Sequence, residues 1–86
     1  MSKALYRLRQ APGAWYKSLS DFLVGNDFLR GSFDKTLFIK LENTSLIILK
    51  IYVDDIIFGS TNDKLCEIFS SLMESKFEMS LIGELN

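Results

Sequence analysis

The stretch from Leu46 to Phe58 has the sequence LIILKIYVDDIIF, and it decides which fold the chain is predicted to adopt. Leu46 to Val53 is β-branched and apolar on both faces apart from Lys50, which is typical of a strand near the centre of a sheet. Asp54-Asp55 interrupts this run, and Ile56 to Phe58 resumes it. The acid pair is therefore predicted to lie at or beside a tight turn between two apolar strands.

A further strand is predicted immediately before this hairpin. Apolar residues alternate with others from Thr36 to Leu41, which is the period of a strand with one buried face. Glu42-Asn43-Thr44-Ser45 then breaks the run, so a second hairpin is the simplest connection. The predicted strands are Thr36 to Leu41, Leu46 to Val53 and Asp55 to Gly59, and Glu78 to Asn86 has the pattern of a strand that is just beginning.

Two amphipathic helices are predicted to flank these strands. Apolar residues follow Trp15 at helical spacing, Pro12 suits a first turn and Gly25-Asn26-Asp27 suits a helix end, which predicts a helix from Ala11 to Val24 with Trp15 in the core. A second helix is predicted from Asn62 to Lys76 by the same spacing of apolar residues. We expect Ser60 or Thr61 to cap it.

The order of these elements predicts an α+β fold, with two helices packed on one face of an antiparallel sheet. The chain has 86 residues, of which 48% are hydrophobic and 24% charged. That length and composition fit one small globular domain. The longest apolar stretch, Leu46 to Val53, is far shorter than the roughly 20 residues of a membrane-spanning helix. We therefore expect no membrane segment.

The inventory of residue types excludes several classes of site. The sequence contains no histidine, which excludes a Ser-His-Asp triad and a zinc site with histidine ligands. A single cysteine, Cys66, excludes an internal disulfide and is interpreted as a passive small residue. No apolar run follows the first basic residues, so no secretory signal is predicted and we expect an intracellular, cytoplasmic protein. Lys50 is expected to reach solvent or to pair with an acid such as Glu42.

Charge is distributed unevenly along the chain. Residues 1–40 contain seven Lys or Arg and three acids, whereas residues 41–86 contain three Lys or Arg and eight acids. A nucleic-acid binder with a cation site could show this asymmetry, because phosphates attract basic groups and metal ions attract acidic groups. Two solvated faces of opposite charge are an equally good explanation.

The adjacent carboxylates of Asp54 and Asp55 carry the most chemical information. Packing does not explain two neighbouring acids at a turn, since their mutual repulsion has to be compensated. Hard oxygen ligands at the end of a sheet can hold Mg²⁺, and paired ions of this kind support phosphoryl transfer. Acid pairs also occur in ordinary exposed turns, so the spacing alone leaves both interpretations open.

A second motif, Leu5 to Tyr16 with the sequence LYRLRQAPGAWY, stands about forty residues before Tyr52-Val53-Asp54-Asp55. Together the two motifs resemble the reverse transcriptase of copia-type LTR retrotransposons, especially those of plants. The resemblance implies a partial polymerase palm with a catalytic-type β-hairpin at the Tyr-Val-Asp-Asp box. It also implies that the stretch from Leu5 to Tyr16 opens a palm helix. Further segments that share it are Thr36 to Ile39, Phe58 to Asn62, and Phe77 to Ser80 with Gly83 to Leu85, so it covers nearly the whole chain.

The resemblance assigns catalytic and metal-binding roles to Asp54 and Asp55, which would hold Mg²⁺ or Mn²⁺ in the parent enzyme. That family has a glycine where this chain has Arg7 and a basic residue where it has Gly13. Its third metal-binding aspartate lies upstream of the matching segment. We therefore expect residues 1–86 to be a single partial reverse transcriptase domain, truncated at both ends, that binds the metal weakly or not at all.

The resemblance also assigns substrate-binding and nucleic-acid-binding roles. Tyr52 and Val53 would lie beside the primer terminus and the incoming deoxynucleotide, while Arg9 and Gln10 would lie on the side of the RNA or DNA template. For Arg9, a surface arginine without such a role is an equally good interpretation. The function this implies is a fragment of an RNA-directed DNA polymerase, inactive on its own. The alternatives are a non-enzymatic domain that binds nucleic acid or protein, and a decayed reading frame without function.

Overall fold

The computed structural model describes residues 2–9 and 14–85, and over these residues the chain is α+β, as predicted. Six strands form one antiparallel sheet in the order β2-β3-β4-β5-β1-β6, and two helices accompany it. Neither described helix is long and apolar enough to span a membrane. The elements are β1 Ser2–Leu8, α1 Ala14–Gly25, β2 Leu29–Arg30, β3 Leu37–Glu42, β4 Ser45–Tyr52, β5 Asp55–Ser60, α2 Asp63–Lys76 and β6 Met79–Leu85.

One face of the sheet packs against both helices, as predicted. Leu49 of β4 lies opposite Phe38 on β3 and Phe58 on β5, and all three side chains are buried. Phe69 of α2 stacks on Phe58 with ring centroids 5.4 Å apart. Its ring also lies 6.1 Å from that of Phe22 on α1, so the two helices and the sheet share one core. We call the opposite side of the sheet the open face.

The core also contains Trp15, as the sequence predicted. Its side chain is 4% exposed and belongs to the same cluster as the buried residues of the sheet. Cys66 of α2 is buried as well, and burial raises the pKa of its thiol, which agrees with a passive role.

The two hairpins were predicted correctly, but their strands end where the backbone turns. β4 ends at Tyr52 and not at Val53, because Tyr52 and Asp55 are the last cross-strand pair and Val53-Asp54 forms a two-residue turn. Likewise, Glu42 pairs with Ser45 across the turn that joins β3 and β4. Loops of two residues fix the register of both hairpins.

The interpretation of the stretch from Leu5 onward as the opening of a helix was wrong for its first part. Ser2–Leu8 is a strand, β1, that pairs with both β5 and β6. Ala4, Tyr6 and Leu8 are buried, whereas Lys3 and Arg7 are exposed. This alternation has the period of a strand, and burial of every second side chain stabilises it inside the sheet.

The end of α1 and both ends of α2 agree with the predictions, except for the cap of α2. At the end of α1, the Asp27 N–H donates to the Val24 carbonyl and the Phe28 N–H to the Leu23 carbonyl, with Asp27 at φ 69°. These two bonds form a Schellman motif, which explains the predicted stop. The predicted start, Ala11 to Gly13, lies outside the described residues.

The cap of α2 is Asn62 and not Ser60 or Thr61. The Asn62 side-chain oxygen accepts from the N–H groups of Lys64 and Leu65. Ser60 and Thr61 make other hydrogen bonds instead, since the Thr61 hydroxyl accepts from the Leu46 N–H of β4 and the Ser60 hydroxyl accepts from the Asn62 N–H. Because both hydroxyls already accept these hydrogen bonds, the side-chain oxygen of Asn62 caps the helix instead.

Lys50 pairs with an acid, as expected, but the acid is Asp34 and not Glu42. Its ammonium group donates to the Asp34 carboxylate and, over 2.7 Å, to the Thr36 hydroxyl. The register explains the choice, because Leu37 lies opposite Lys50 and Glu42 lies at the far end of the same hairpin.

Candidate functional site

The Val53-Asp54 turn presents the predicted site residues at one end of the sheet. Val53 is 85% exposed and Tyr52 is 61% exposed, while Asp54 and Asp55 are half-buried. Val53 has a φ of 57°. Positive φ at the first central residue is required by the tight turns that join twisted strands, but it is unfavourable for a β-branched side chain. The turn is therefore held in place at a local conformational cost.

The strand register extends this site across four strands. Tyr52 lies opposite Asp55, Asp55 lies opposite Arg7, and Arg7 lies opposite Ser80. Directly opposed residues of adjacent antiparallel strands point to the same face of the sheet. These four side chains consequently form one row on the open face, directly below the turn, and we call it the turn row.

Within the turn row, Arg7 and Asp55 form an ion pair. The Arg7 Nε lies 2.9 Å from Asp55 Oδ1, and the Arg7 Nη2 makes a longer contact of 3.4 Å with Asp55 Oδ2. The hydrogen bond from Arg7 lowers the pKa of the Asp55 carboxyl below its usual range. Asp55 is thus held in its ionised form, with both oxygens facing a guanidinium group.

Asp54 is attached to the sheet through its backbone. Its carbonyl oxygen accepts a hydrogen bond of 2.9 Å from the Leu8 N–H. This bond continues the pairing of β1 with β5 beyond the last bridged pair, Arg7 and Asp55. The position of the turn therefore depends on β1 as well as on the two strands that it joins.

Arg9, one of the predicted nucleic-acid contacts, lies next to the turn row and is exposed. Its Nε donates a hydrogen bond of 2.6 Å to the Ser80 hydroxyl, and its backbone N–H donates to the Glu78 carbonyl over 2.9 Å. The prediction for Gln10 falls outside the described residues. The structure thus brings Tyr52, Val53, the two acids and Arg9 to the same end of the sheet.

Arg7 is the residue of this site whose contact sequence reasoning missed. From the sequence, Arg7 stood out only because the family has a glycine at this position. The signal that could have revealed its position was the alternation of buried and exposed residue types from Lys3 to Leu8, which places Arg7 on the same face as Lys3 and Leu5. Its partner could not be deduced in that way, because Asp55 is 48 residues away in the sequence.

The carboxylates of the turn are hard oxygen ligands of the kind that Mg²⁺ prefers. However, both oxygens of Asp55 already face Arg7. In addition, residues 2–9 and 14–85 contain no group of three or more His, Cys, Asp or Glu side chains that could hold a metal ion. The residues as they are arranged therefore do not fit a divalent metal ion.

Comparison with known proteins places the chain in a family. The model of the family described as reverse transcriptase (RNA-dependent DNA polymerase) matches residues 1–86, which is the whole sequence. The chain belongs to this reverse transcriptase family. The match confirms the resemblance that the two sequence motifs suggested. No solved structure matches the chain significantly.

Curated relatives of this reverse transcriptase segment are Pol polyproteins of copia-type plant transposons. The retrovirus-related Pol polyprotein from transposon RE1 of Arabidopsis thaliana is 31% identical over 86 residues, which are 100% of this chain and 6% of that protein. That from transposon RE2 of the same plant is 32% identical over 79 residues, or 92% of this chain and 5% of that protein. The retrovirus-related Pol polyprotein from transposon TNT 1-94 of Nicotiana tabacum is 29% identical over 84 residues, which are 96% of this chain and 6% of that protein.

Proposed function

We propose that this reverse transcriptase segment is part of the palm of an RNA-directed DNA polymerase and that β4 and β5 form its catalytic-type hairpin. The observation that carries the proposal is the position of Asp54 and Asp55 at the tip of that hairpin. Among the described residues, both helices pack on the other face of the sheet, and Arg7 and Tyr52 on the open face beside the acids are exposed.

In this proposal, Asp54 and Asp55 are the acids at which the parent polymerase holds its divalent ions, Mg²⁺ or Mn²⁺. Reverse transcriptases as a family are nucleotidyltransferases that generally use such metals. Template-primer and deoxynucleotide would be bound by the surrounding residues. The exposure of Tyr52 and Val53 supports a place for them beside the primer terminus and the nucleotide.

Arg9 and Gln10 are proposed to contact the template strand. The guanidinium group of Arg9 is exposed beside the turn row, where it could meet a phosphate. Gln10 is its neighbour in the sequence, and its proposed role rests on the family alone.

We propose further that the 86-residue chain does not polymerise by itself. Asp55 is paired with Arg7, and the described residues offer no third acid near the turn. A polymerase needs positioned metal ions and a held primer, and a chain with one available carboxylate supplies neither. The purified chain should therefore not extend a primed RNA or DNA template with Mg²⁺ or Mn²⁺. Extension that disappears in Asp54→Asn would contradict this part of the proposal.

The proposed role of the acid pair is tested in a chimera. The matching segment of the RE1 Pol polyprotein is replaced by this chain carrying Arg7→Ala, and incorporation of deoxynucleotides on a primed RNA template is measured. Asp54→Asn should lower the rate at least about 100-fold, because a metal-binding carboxylate is lost. The control is Asp21→Asn, which removes an exposed carboxylate of α1 and should leave the rate unchanged. Equal rates in the chimera and its Asp54→Asn form would refute the role.

A further inference from the structure

We infer that Arg7 is a built-in counterion beside the Val53-Asp54 turn: it occupies Asp55, the first residue of β5, and thereby keeps divalent cations off the pair of acids. The inference rests on the proposed function only in regarding this turn as a metal position. It adds that the chain's own arginine excludes the metal. A shortage of further ligands alone would make the metal bind weakly, whereas Arg7 prevents it from binding through Asp55.

The contact between Arg7 and Asp55 follows from the backbone and is not a chance encounter of two surface side chains. The two residues are directly opposed on β1 and β5, and the continuous register from Ser2 to Arg7 leaves them no other alignment. The Leu8 N–H, bonded to the Asp54 carbonyl, fixes the strands just beyond the pair. The backbone therefore holds the two side chains within reach of each other.

The guanidinium group contacts both oxygens of the carboxylate that a cation would need. Nε and Nη2 of Arg7 face Oδ1 and Oδ2 of Asp55, respectively. A planar guanidinium suits this two-point arrangement, whereas an ammonium group contacts a carboxylate as a point charge. A metal ion that binds through Asp55 would first have to displace Arg7.

The charge of the turn leads to the same expectation. Asp54 and Asp55 together carry two negative charges, and Arg7 neutralises one of them at contact distance. The remaining attraction for a cation comes mainly from Asp54, and Mg²⁺ gives up its water ligands reluctantly for a single carboxylate. Removal of Arg7 should restore both the second ligand and the second charge.

The experiment follows Mn²⁺ binding to the isotope-labelled 86-residue chain through paramagnetic broadening of its amide signals. In the unaltered chain, we expect no broadening centred on residues 53–56 up to the millimolar range. In Arg7→Ala, broadening should centre on these residues at a concentration at least about tenfold lower, because a contacting charge strongly affects the affinity for a divalent ion. Arg7→Gln, which keeps most of the side chain but not its charge, should behave in the same way.

Two controls separate the contact from a general effect of charge. Lys3→Ala removes one positive charge from the same strand and the same face, but Lys3 lies opposite Gly59 and not opposite an acid. Lys3→Ala should leave the broadening at residues 53–56 as it is in the unaltered chain. Addition of Asp55→Asn to Arg7→Ala should abolish the gain. The inference is wrong if the unaltered chain binds as tightly as both Arg7 variants, or if Lys3→Ala gains as much as they do. Neither outcome depends on polymerase activity, so this test and that of the chimera can fail separately.

Discussion

Val53 has a φ of 57°, although its β-branched side chain disfavours the left-handed region of backbone conformation. The side chain is 85% exposed, so burial does not compensate for the strain at this residue. The hairpin keeps the conformation because the strands on either side of the turn are paired and their inner face is buried. Strain of this kind is often found at functional sites, and here it lies directly beside the acid pair.

Val53→Gly should raise the free energy of unfolding by about 0.5–1 kcal/mol. Release of the left-handed strain contributes about 1–2 kcal/mol, and the greater chain entropy of glycine offsets about 0.5–1 kcal/mol of it. Urea unfolding measures the change. The matched control is Thr44→Gly at the second position of the other two-residue turn, where φ is not positive, and it should lower stability slightly. If Val53→Gly had a lower free energy of unfolding than the unaltered chain, the claim that Val53 is strained would be contradicted.

Asp34 gives the chain a specific sensitivity to acid. Hydrogen bonds from Lys50 and then Thr36 lower the pKa of the Asp34 carboxyl to about 2. Because the folded state favours the ionised form, this contribution to stability is complete above the ordinary pKa near 3.8 and disappears as the pH falls towards 2.

Asp34→Asn should therefore be less stable than the unaltered chain at pH 7, and the difference between the two should shrink between pH 4 and pH 2. Thermal unfolding of both proteins at several pH values measures it. Asp21→Asn, at an exposed i,i+4 pair on α1, is the control and should show a much smaller difference. A difference for Asp34→Asn that stays constant down to pH 2 would contradict the assignment.

At the scale of elements, sequence periodicity predicted the structure wherever the pattern was long or the turn residues were distinctive. Both helices and the three predicted strands were found, since the helices and the hairpin strands β4 and β5 bury regular stripes of apolar residues and β3 buries Phe38 between them. β1 was missed because the stretch from Leu5 was interpreted as the opening of the following helix, although burial of Ala4, Tyr6 and Leu8 alternates with the period of a strand. β2 has only two residues, Leu29–Arg30, and both are exposed, so it has no hydrophobic pattern of its own. It forms only because β3 offers it a partner.

The cap of α2 provides a test of how an element ends. Asn62→Ala should lower the free energy of unfolding by about 1 kcal/mol, because the N–H groups of Lys64 and Leu65 would lose their acceptor. Asn62→Asp keeps a side-chain oxygen at the same place and adds a favourable charge at the start of the helix, so it should retain the stability. Chemical denaturation measures the free energy of unfolding of both variants and of the unaltered chain. An equal loss in both would show that the cap is not the cause.

For the whole molecule, the candidate site depends on segments that lie far apart in the chain. The acid pair at a turn could be predicted from residues 46–58 alone, because apolar runs on both sides leave the acids no other place. The partner of Asp55 could not be predicted in this way, since Arg7 lies beside Asp55 only because β1 is positioned between β5 and β6 in the sheet. That arrangement is a property of the folded sheet, and no local pattern in the sequence specifies it.

Anomalous scattering from crystals of the unaltered chain and of Arg7→Ala, both soaked in Mn²⁺, would test the central claim most directly. In the unaltered chain, we expect the Arg7 guanidinium on both oxygens of Asp55 and no manganese beside it. In Arg7→Ala, we expect a manganese peak at Asp54 and Asp55, bound through carboxylate oxygen. Manganese on Asp55 of the unaltered chain, with Arg7 turned away, would contradict the account, as would an empty turn in Arg7→Ala.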